Sequence, residues 1–261
     1  MNTAARTRRV PAPAAGRSVA AVRIEHRQRG HRVRLEWGPV GAELLAADCA
    51  VVVIVDVLSF TTSVDIAITR GATVLPQFTG DDDTALAEAA RRGALPAGSR
   101  HGTGPSLRPS SLTGLAAGTT LALPSPNGAT LCRIAAGGGA EVIAGCLRNA
   151  AAVAAAVDRA DGPIGLVPAG ERWPDGSLRP ALEDVLGAGA IAARLAGRSP
   201  EAELAALQFA AVGDLRDVLV GCSSGQELVA DGYGADVELA AALDVSSAVP
   251  RLRGGVLTHP G

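Results

Sequence analysis

The clearest hydrophobic pattern in the chain is a continuous apolar run, Ala50 to Val55, that stops at Asp56. A segment apolar at every position, rather than at alternate ones, predicts a strand buried on both faces of a sheet, with Asp56 at its carboxyl end. Behind it, Thr61, Thr62 or Ser63 can start a helix carrying Val64, Ile66, Ala67 and Ile68, which Gly71 closes. Ahead of it, Val33, Leu35 and Trp37 alternate as in an edge strand, and a helix is predicted over 41–47. The β-loop-α unit then repeats as strand 73–77, helix 82–92, strand 119–123, helix 129–136, strand 140–144 and helix 149–158. Strand 164–167 leads through a Gly- and Pro-containing loop to a long helix over 180–195, and helices near 200–211, 224–231 and 235–243 precede short extended pieces. Such alternation implies an α/β fold, with a mainly parallel or mixed sheet and helices on both of its faces. Ligands of such sheets gather at the carboxyl ends of strands. The Gly-, Pro- and Ser-rich connection over 94–118 is long enough to serve as an active-site loop.

Composition narrows the classes of chemistry. The 261 residues suit one large domain over 22–261, after a basic stretch over 1–21. Nine of the 24 basic residues fall within positions 1–34, against a single acidic residue there, Glu25. With aromatics at 2% and no nucleic-acid-binding fold in that segment, the stretch reads as a disordered, solvated tail. Its Arg and Ala content is similar to that of an organelle presequence, but it has neither a secretory apolar core nor a clear cleavage signal. No apolar run approaches the roughly 18 residues of a membrane helix, which predicts a soluble protein. The four cysteines are scattered without metal-ligand spacing, so neither a disulfide framework nor a zinc site is expected, and a reducing cytoplasm fits. A homo-oligomer is compatible with the pattern.

Every basic residue is Arg, because the chain contains no Lys. That excludes a P-loop, whose Lys sits on the phosphates, and Schiff-base or pyridoxal-phosphate chemistry, which needs a Lys amine. The four His lie mostly near the ends of the chain, a poor basis for a buried Ser-His-Asp or Cys-His centre.

Four segments at predicted strand ends remain: Asp56 to Thr62, Ser125 to Ala129, Gly170 to Arg172 together with Glu183 and Asp184, and Ser223 to Gly225. An Asp after a buried strand can hold a hard cation such as magnesium, or it can cap the next helix. The P-N-G turn at Asn127 and Gly128 can be only a turn, or its N–H groups can form an anion nest. Glu183 and Asp184 fall in the first helical turn, where negative charge also simply complements the helix dipole. The match G-A-G-A-I-A at 187–192 lies inside a helix and reads as close packing, not dinucleotide binding.

Taken in order, D-V-L-S-F-T-T-S at 56–63, L-P-S-P-N-G-A-T at 123–130, G-C-L-R-N-A at 145–150, A-G-E-R at 169–172 and L-E-D-V-L-G-A-G at 182–189 resemble the 2-phosphosulfolactate phosphatase family. The closing segment at 223–250 is similar to that family as well, and the resemblance covers about 33–258. It implies a three-layer α/β/α phosphatase that uses Mg2+ to release phosphate from 2-phospho-3-sulfolactate, a small anionic phosphate ester, in a step towards coenzyme M. On that resemblance Asp56, Glu183 and Asp184 are the expected metal ligands. Asp56, Asn127 and Arg108 are the expected catalytic residues, and Thr61, Thr62, Ser125, Gly128 and Arg172 the expected substrate contacts. Whether an Asp or a water attacks stays open.

The chain departs from the family pattern at Ser59 and Phe60, where D-V-x-R-A-T is usual, and at 105–112, where a G-F-D-x-G-N-S-P-like segment is degraded. Arg108 is expected to replace the lost cation by forking onto a phosphate or sulfonate, unless it is only a surface residue. A haloacid-dehalogenase-like phosphatase is disfavoured, since Leu58 stands where a second Asp is needed and no Lys exists. A Cys-based phosphatase is excluded because no Cys is followed by Arg six positions on. The alternative is a lapsed member that binds an anionic metabolite without hydrolysing it.

Overall fold

The computed structural model describes residues 22–77 and 82–259. The tail expected over 1–21 lies outside the described residues. Within them, the strands are β1 (Val33–Leu35), β2 (Val51–Val55), β3 (Thr73–Gln77), β4 (Leu95–Pro96), β5 (Thr120–Pro124), β6 (Glu141–Gly145), β7 (Ile164–Pro168), β8 (Glu171–Arg172), β9 (Leu178–Arg179), β10 (Arg251–Arg253) and β11 (Val256–Thr258). The helices are α1 (Gly38–Asp48), α2 (Phe60–Thr69), α3 (Asp82–Arg91), α4 (Gly128–Gly137), α5 (Ala150–Val157), α6 (Leu182–Ala192), α7 (Pro200–Ala210), α8 (Leu215–Gly221), α9 (Ser223–Ala230) and α10 (Gly234–Ala241).

All five residues of β2 are buried, as a run apolar at every position requires. Its alternation assigns them to two cores. Val51, Val53 and Val55 pack with residues of α5, α6 and α7. Val52 and Ile54 pack with residues of α1, α2 and α4. The sheet is therefore the middle of three layers, the α/β/α arrangement expected from the alternating elements.

Nine strands form that sheet, in the order β1-β7-β2-β6-β10-β11-β3-β5-β4. β1, β7, β2 and β6 pair in parallel, as do β3, β5 and β4. The hairpin β10–β11 inserts between these two blocks and pairs antiparallel with β6 on one side and β3 on the other. Three antiparallel steps in succession reverse the strand sense, so the sheet is mixed and its two blocks run in opposite directions. Their carboxyl ends nevertheless meet. A twist of about 20–25° per strand, accumulated over the five steps from β2 to β5, turns the sheet by roughly 100–125° and lets opposite-running strands converge.

Helix α6 approaches β2 and α7 closely because it is built from small residues. A Cβ at Gly187 would lie 2.8 Å from side chains of Val55 and Val57, and one at Gly189 would collide with the Ala205 carbonyl. The G-A-G-A-I-A stretch is thus a packing face inside a helix, as expected. No helix among the described residues is long and apolar enough to cross a membrane.

Candidate active site

Asp56 follows β2 and is almost fully buried. Its Oδ1 accepts a hydrogen bond from the Phe60 N–H, 3.2 Å away, at the start of α2. Its Oδ2 accepts one from the Gly128 N–H, 2.8 Å away, at the start of α4, and lies 3.4 Å from Ser125 Oγ. Two helix N-termini thus converge on one carboxylate, where unpaired N–H groups and helix dipoles favour negative charge. Gly128 is required for this approach: a Cβ there would collide with the Phe60 ring and sit 2.8 Å from Asp56 Oδ2.

The expected threonines are present at the site in a supporting position. Thr61 Oγ1 donates to the Asp56 carbonyl at 2.8 Å, and Thr62 Oγ1 donates to the Val57 carbonyl at 2.8 Å. Both are buried, and both hold the turn between β2 and α2 in shape. Asn127, ahead of α4, donates from Nδ2 to Glu171 Oε2 at 3.0 Å, while its own N–H points to Ser125 Oγ at 3.3 Å.

Glu183 and Asp184 are adjacent in α6 and point about 100° apart, so they meet different partners. Asp184 Oδ1 accepts from the Val57 N–H at 2.7 Å and Oδ2 from the Gly170 N–H at 2.8 Å. It ties α6 to the turns that follow β2 and β7. Glu183, also buried, has the Cys222 thiol 3.4 Å from Oε2. Burial pushes that thiol up to about 12, with the Glu183 charge adding to the effect, so Cys222 stays neutral.

The short hairpin β8–β9 changes which residues reach this cluster. Successive strand residues point to opposite faces. Glu171 faces the cluster through Asn127, while Arg172 turns outward and donates to the Gly176 carbonyl at 3.1 Å. The residue directly opposite Glu171 in the hairpin is Arg179, whose guanidinium donates to Ser224 Oγ at 3.2 Å. Arg179 thus lies on the Glu171 side of the hairpin, where it opposes the rise in the Glu171 pKa.

Arg108 is bonded within its own loop. Its guanidinium donates to the Gly102 carbonyl at 2.9 Å and sits 5.2 Å from the centre of the Tyr233 ring, inside its own loop and against α10. The arginine whose charge acts on Asp56 is Arg100.

The acidic groups perturb one another. Burial raises the pKa of Asp56 and Glu183 raises it further, while the Phe60 and Gly128 N–H groups and Arg100 oppose the rise. Asp184 is raised well above the usual carboxylate range by burial, then by Asp56 and Glu183. Glu171 is raised to about 7 by burial and then by Asp56, against the hydrogen bond from Asn127. Sequence reasoning singled out the A-G-E-R segment but took Arg172 from it and passed over Glu171; only the hairpin register separates the two.

Among the described residues, no three or more His, Cys, Asp or Glu side chains are gathered closely enough to form a metal cage. Asp184 in particular has both oxygens on main-chain N–H groups, so the expected trio of Asp56, Glu183 and Asp184 is not assembled as one. The remaining donors are all carboxylate oxygens that repel one another, which matches a hard cation. Magnesium keeps several waters and takes one or two carboxylates together with substrate phosphate, so a cage is not required.

Two open clefts, of about 460 and 420 Å3, lie away from this cluster, the first beside α8 and the second between β1, α6 and α7. Neither contains a residue hydrogen-bonded to Asp56, and the perturbed carboxylates mark the chemistry better than cleft size does.

A family model described as 2-phosphosulpholactate phosphatase matches residues 42–255, a span that includes Asp56, Asn127, Gly128, Glu171, Glu183 and Asp184. No curated protein matches the chain.

Proposed function

Since the chain belongs to the 2-phosphosulpholactate phosphatase family, a family of phosphoric monoester hydrolases, we propose that it uses magnesium to hydrolyse 2-phospho-3-sulfolactate or a closely related small anionic phosphate ester. The observation that carries this reading beyond the family is the convergence of the N-termini of α2 and α4 on the buried Asp56 carboxylate, with Glu171 tied to the same turn through Asn127.

In this reading Asp56 and Glu183 hold the cation, with Asp184 as the residue that positions α6. Bound there, magnesium would act as a Lewis acid on a phosphoryl oxygen. The protein supplies the rest. Asp56 is fixed by two N–H donors and cannot swing towards a substrate without losing them, which favours water over Asp56 as the nucleophile. Hydrolysis of an alkyl phosphate then needs a proton for the leaving oxygen. Glu171, whose carboxyl burial pushes up to about 7, is the group suited to carry it. It gives that proton to the alkoxide as the P–O bond breaks and regains one from the attacking water. Asn127 orients Glu171 through its 3.0 Å hydrogen bond.

The test is inorganic phosphate release from 2-phospho-3-sulfolactate and a panel of other phosphate monoesters, with and without magnesium. Magnesium-dependent release, fastest on small esters bearing a second acidic group, supports the reading. Binding without release from any ester would instead indicate the lapsed, binding-only alternative.

A further inference from the structure

Two buried hydrogen-bond donors have no partner among the described residues, namely Ser59 Oγ, three residues after Asp56, and Arg100 Nη1 in the 94–118 connection. Ser59 is only 2% exposed and precedes α2, yet its hydroxyl makes no capping bond to that helix. An unpaired buried donor is destabilising, the more so when charged, so two together are a standing deficit that an incoming acceptor would relieve.

Arg100 is held in place by contacts on both sides of it. On one side the Gly98 N–H donates to the Pro105 carbonyl at 2.8 Å. On the other, His101 Nδ1 is 2.8 Å from the Tyr233 hydroxyl, and Arg108 lies over the same Tyr233 ring. Further along the loop, the Ser110 N–H donates to Asp236 Oδ1 at 2.7 Å, and Ser63 Oγ of α2 donates to the Leu107 carbonyl at 3.1 Å. The 94–118 connection is thereby latched against α10 and α2. Among the described residues Arg100 forms no ion pair and keeps a bare nitrogen, whereas Arg92 pairs with Glu88 and Arg148 with Asp65.

We propose that Arg100 and Ser59 bind the phosphoryl group of the substrate, with Arg100 presented by the latched loop. The inference rests on the phosphatase reading for its ligand, and on the two orphaned donors for its residues. Consistent with it, the Arg100 charge acts on the Asp56 carboxyl and works against the effect of burial there. The latch explains the position of Arg108: it stacks on Tyr233 and helps to fix the loop, while Arg100, eight residues earlier, keeps its unpaired nitrogen. Tyr233 is on this account a positioning residue, since it touches the loop and not the substrate.

The probe is inorganic phosphate, titrated calorimetrically into the full chain at fixed pH and magnesium. Arg100→Ala is expected to weaken phosphate binding about tenfold or more, as loss of a charge-assisted hydrogen bond does. Arg100→Lys should recover part of the affinity, and Ser59→Ala should weaken it about threefold to tenfold. Tyr233→Phe should weaken it by a smaller factor, with the melting temperature held. Unchanged phosphate affinity in both Arg100→Ala and Ser59→Ala, or no phosphate binding by the wild type, would overturn the proposal. Loss of phosphate binding in the variants of a wild type that hydrolyses no ester would support it while removing the hydrolase reading.

Discussion

The Gly128 N–H donates to Asp56 Oδ2 at 2.8 Å and so joins the two oppositely running blocks of the sheet at their carboxyl ends. Residues 72 positions apart are brought into one hydrogen bond, and with them the N-termini of α2 and α4. That bond depends on the missing side chain at position 128. Gly128→Ala forces the Phe60 ring or Asp56 to move. Overpacking of this kind costs about 1–3 kcal/mol. Thermal denaturation should show a clear drop in melting temperature, accompanied by loss of turnover; a variant with wild-type values for both would mean that the turn relaxes freely.

Glu171 makes stability depend on pH in the magnesium-free protein. Its pKa is raised from 4.5 to about 7, mainly by burial, so the folded state holds its proton where the unfolded state has lost it. The fold is favoured fully below about 4.5 and loses that advantage as pH rises through about 7. The gap sets an upper bound on the order of 3 kcal/mol. Urea denaturation between pH 4.5 and 8 should show this decline, and Glu171→Gln should flatten it. An equal slope in the variant would place the titration on another group.

The same substitution separates proton donation from binding. Glu171→Gln is expected to lower kcat about 100-fold or more on an alkyl phosphate, the usual scale of general acid catalysis. It should have much less effect on an aryl phosphate whose leaving group needs no proton. Equal losses on the two esters would count against Glu171 as the acid.

Asp184 and Glu183 should respond in opposite ways. Asp184→Ala leaves the Val57 and Gly170 N–H groups without their acceptor, so stability falls by about 2 kcal/mol or more. Glu183→Gln removes a repelling charge, so stability is held or raised, while the magnesium needed for half-maximal activity climbs. Measuring melting temperature and magnesium dependence for both variants checks the division. The reverse pattern would exchange their assigned parts.

The layered fold and most of the Asp56 surroundings were readable from local patterns. The apolar run of β2 announces its own burial, and Asp56, Ser125, Asn127 and Gly128 each stand at a strand end, where convergence is expected. What was hidden depends on pairing between distant residues. β10 and β11 are three residues each, too short to carry a periodic signal, yet they set the strand sense of the whole sheet. The two-residue strand β8 decides that Glu171 faces inward and Arg172 outward, and only its register with β9 identifies Arg179 as the partner. Likewise, the contacts that hold the 94–118 connection run to Tyr233, just ahead of α10, and to Asp236 on α10, more than 120 residues further along.

The most direct test is phosphate release from 2-phospho-3-sulfolactate by the wild type and by Asp56→Asn, side by side at saturating magnesium, with melting temperatures recorded. The substitution keeps the size of the side chain but replaces one anionic oxygen with an amide, facing N–H groups that need an acceptor. The account predicts magnesium-dependent release by the wild type and a loss of about 100-fold or more in the variant, which should remain folded. Wild-type turnover by a folded Asp56→Asn variant would contradict it and return Asp56 to the role of a helix cap.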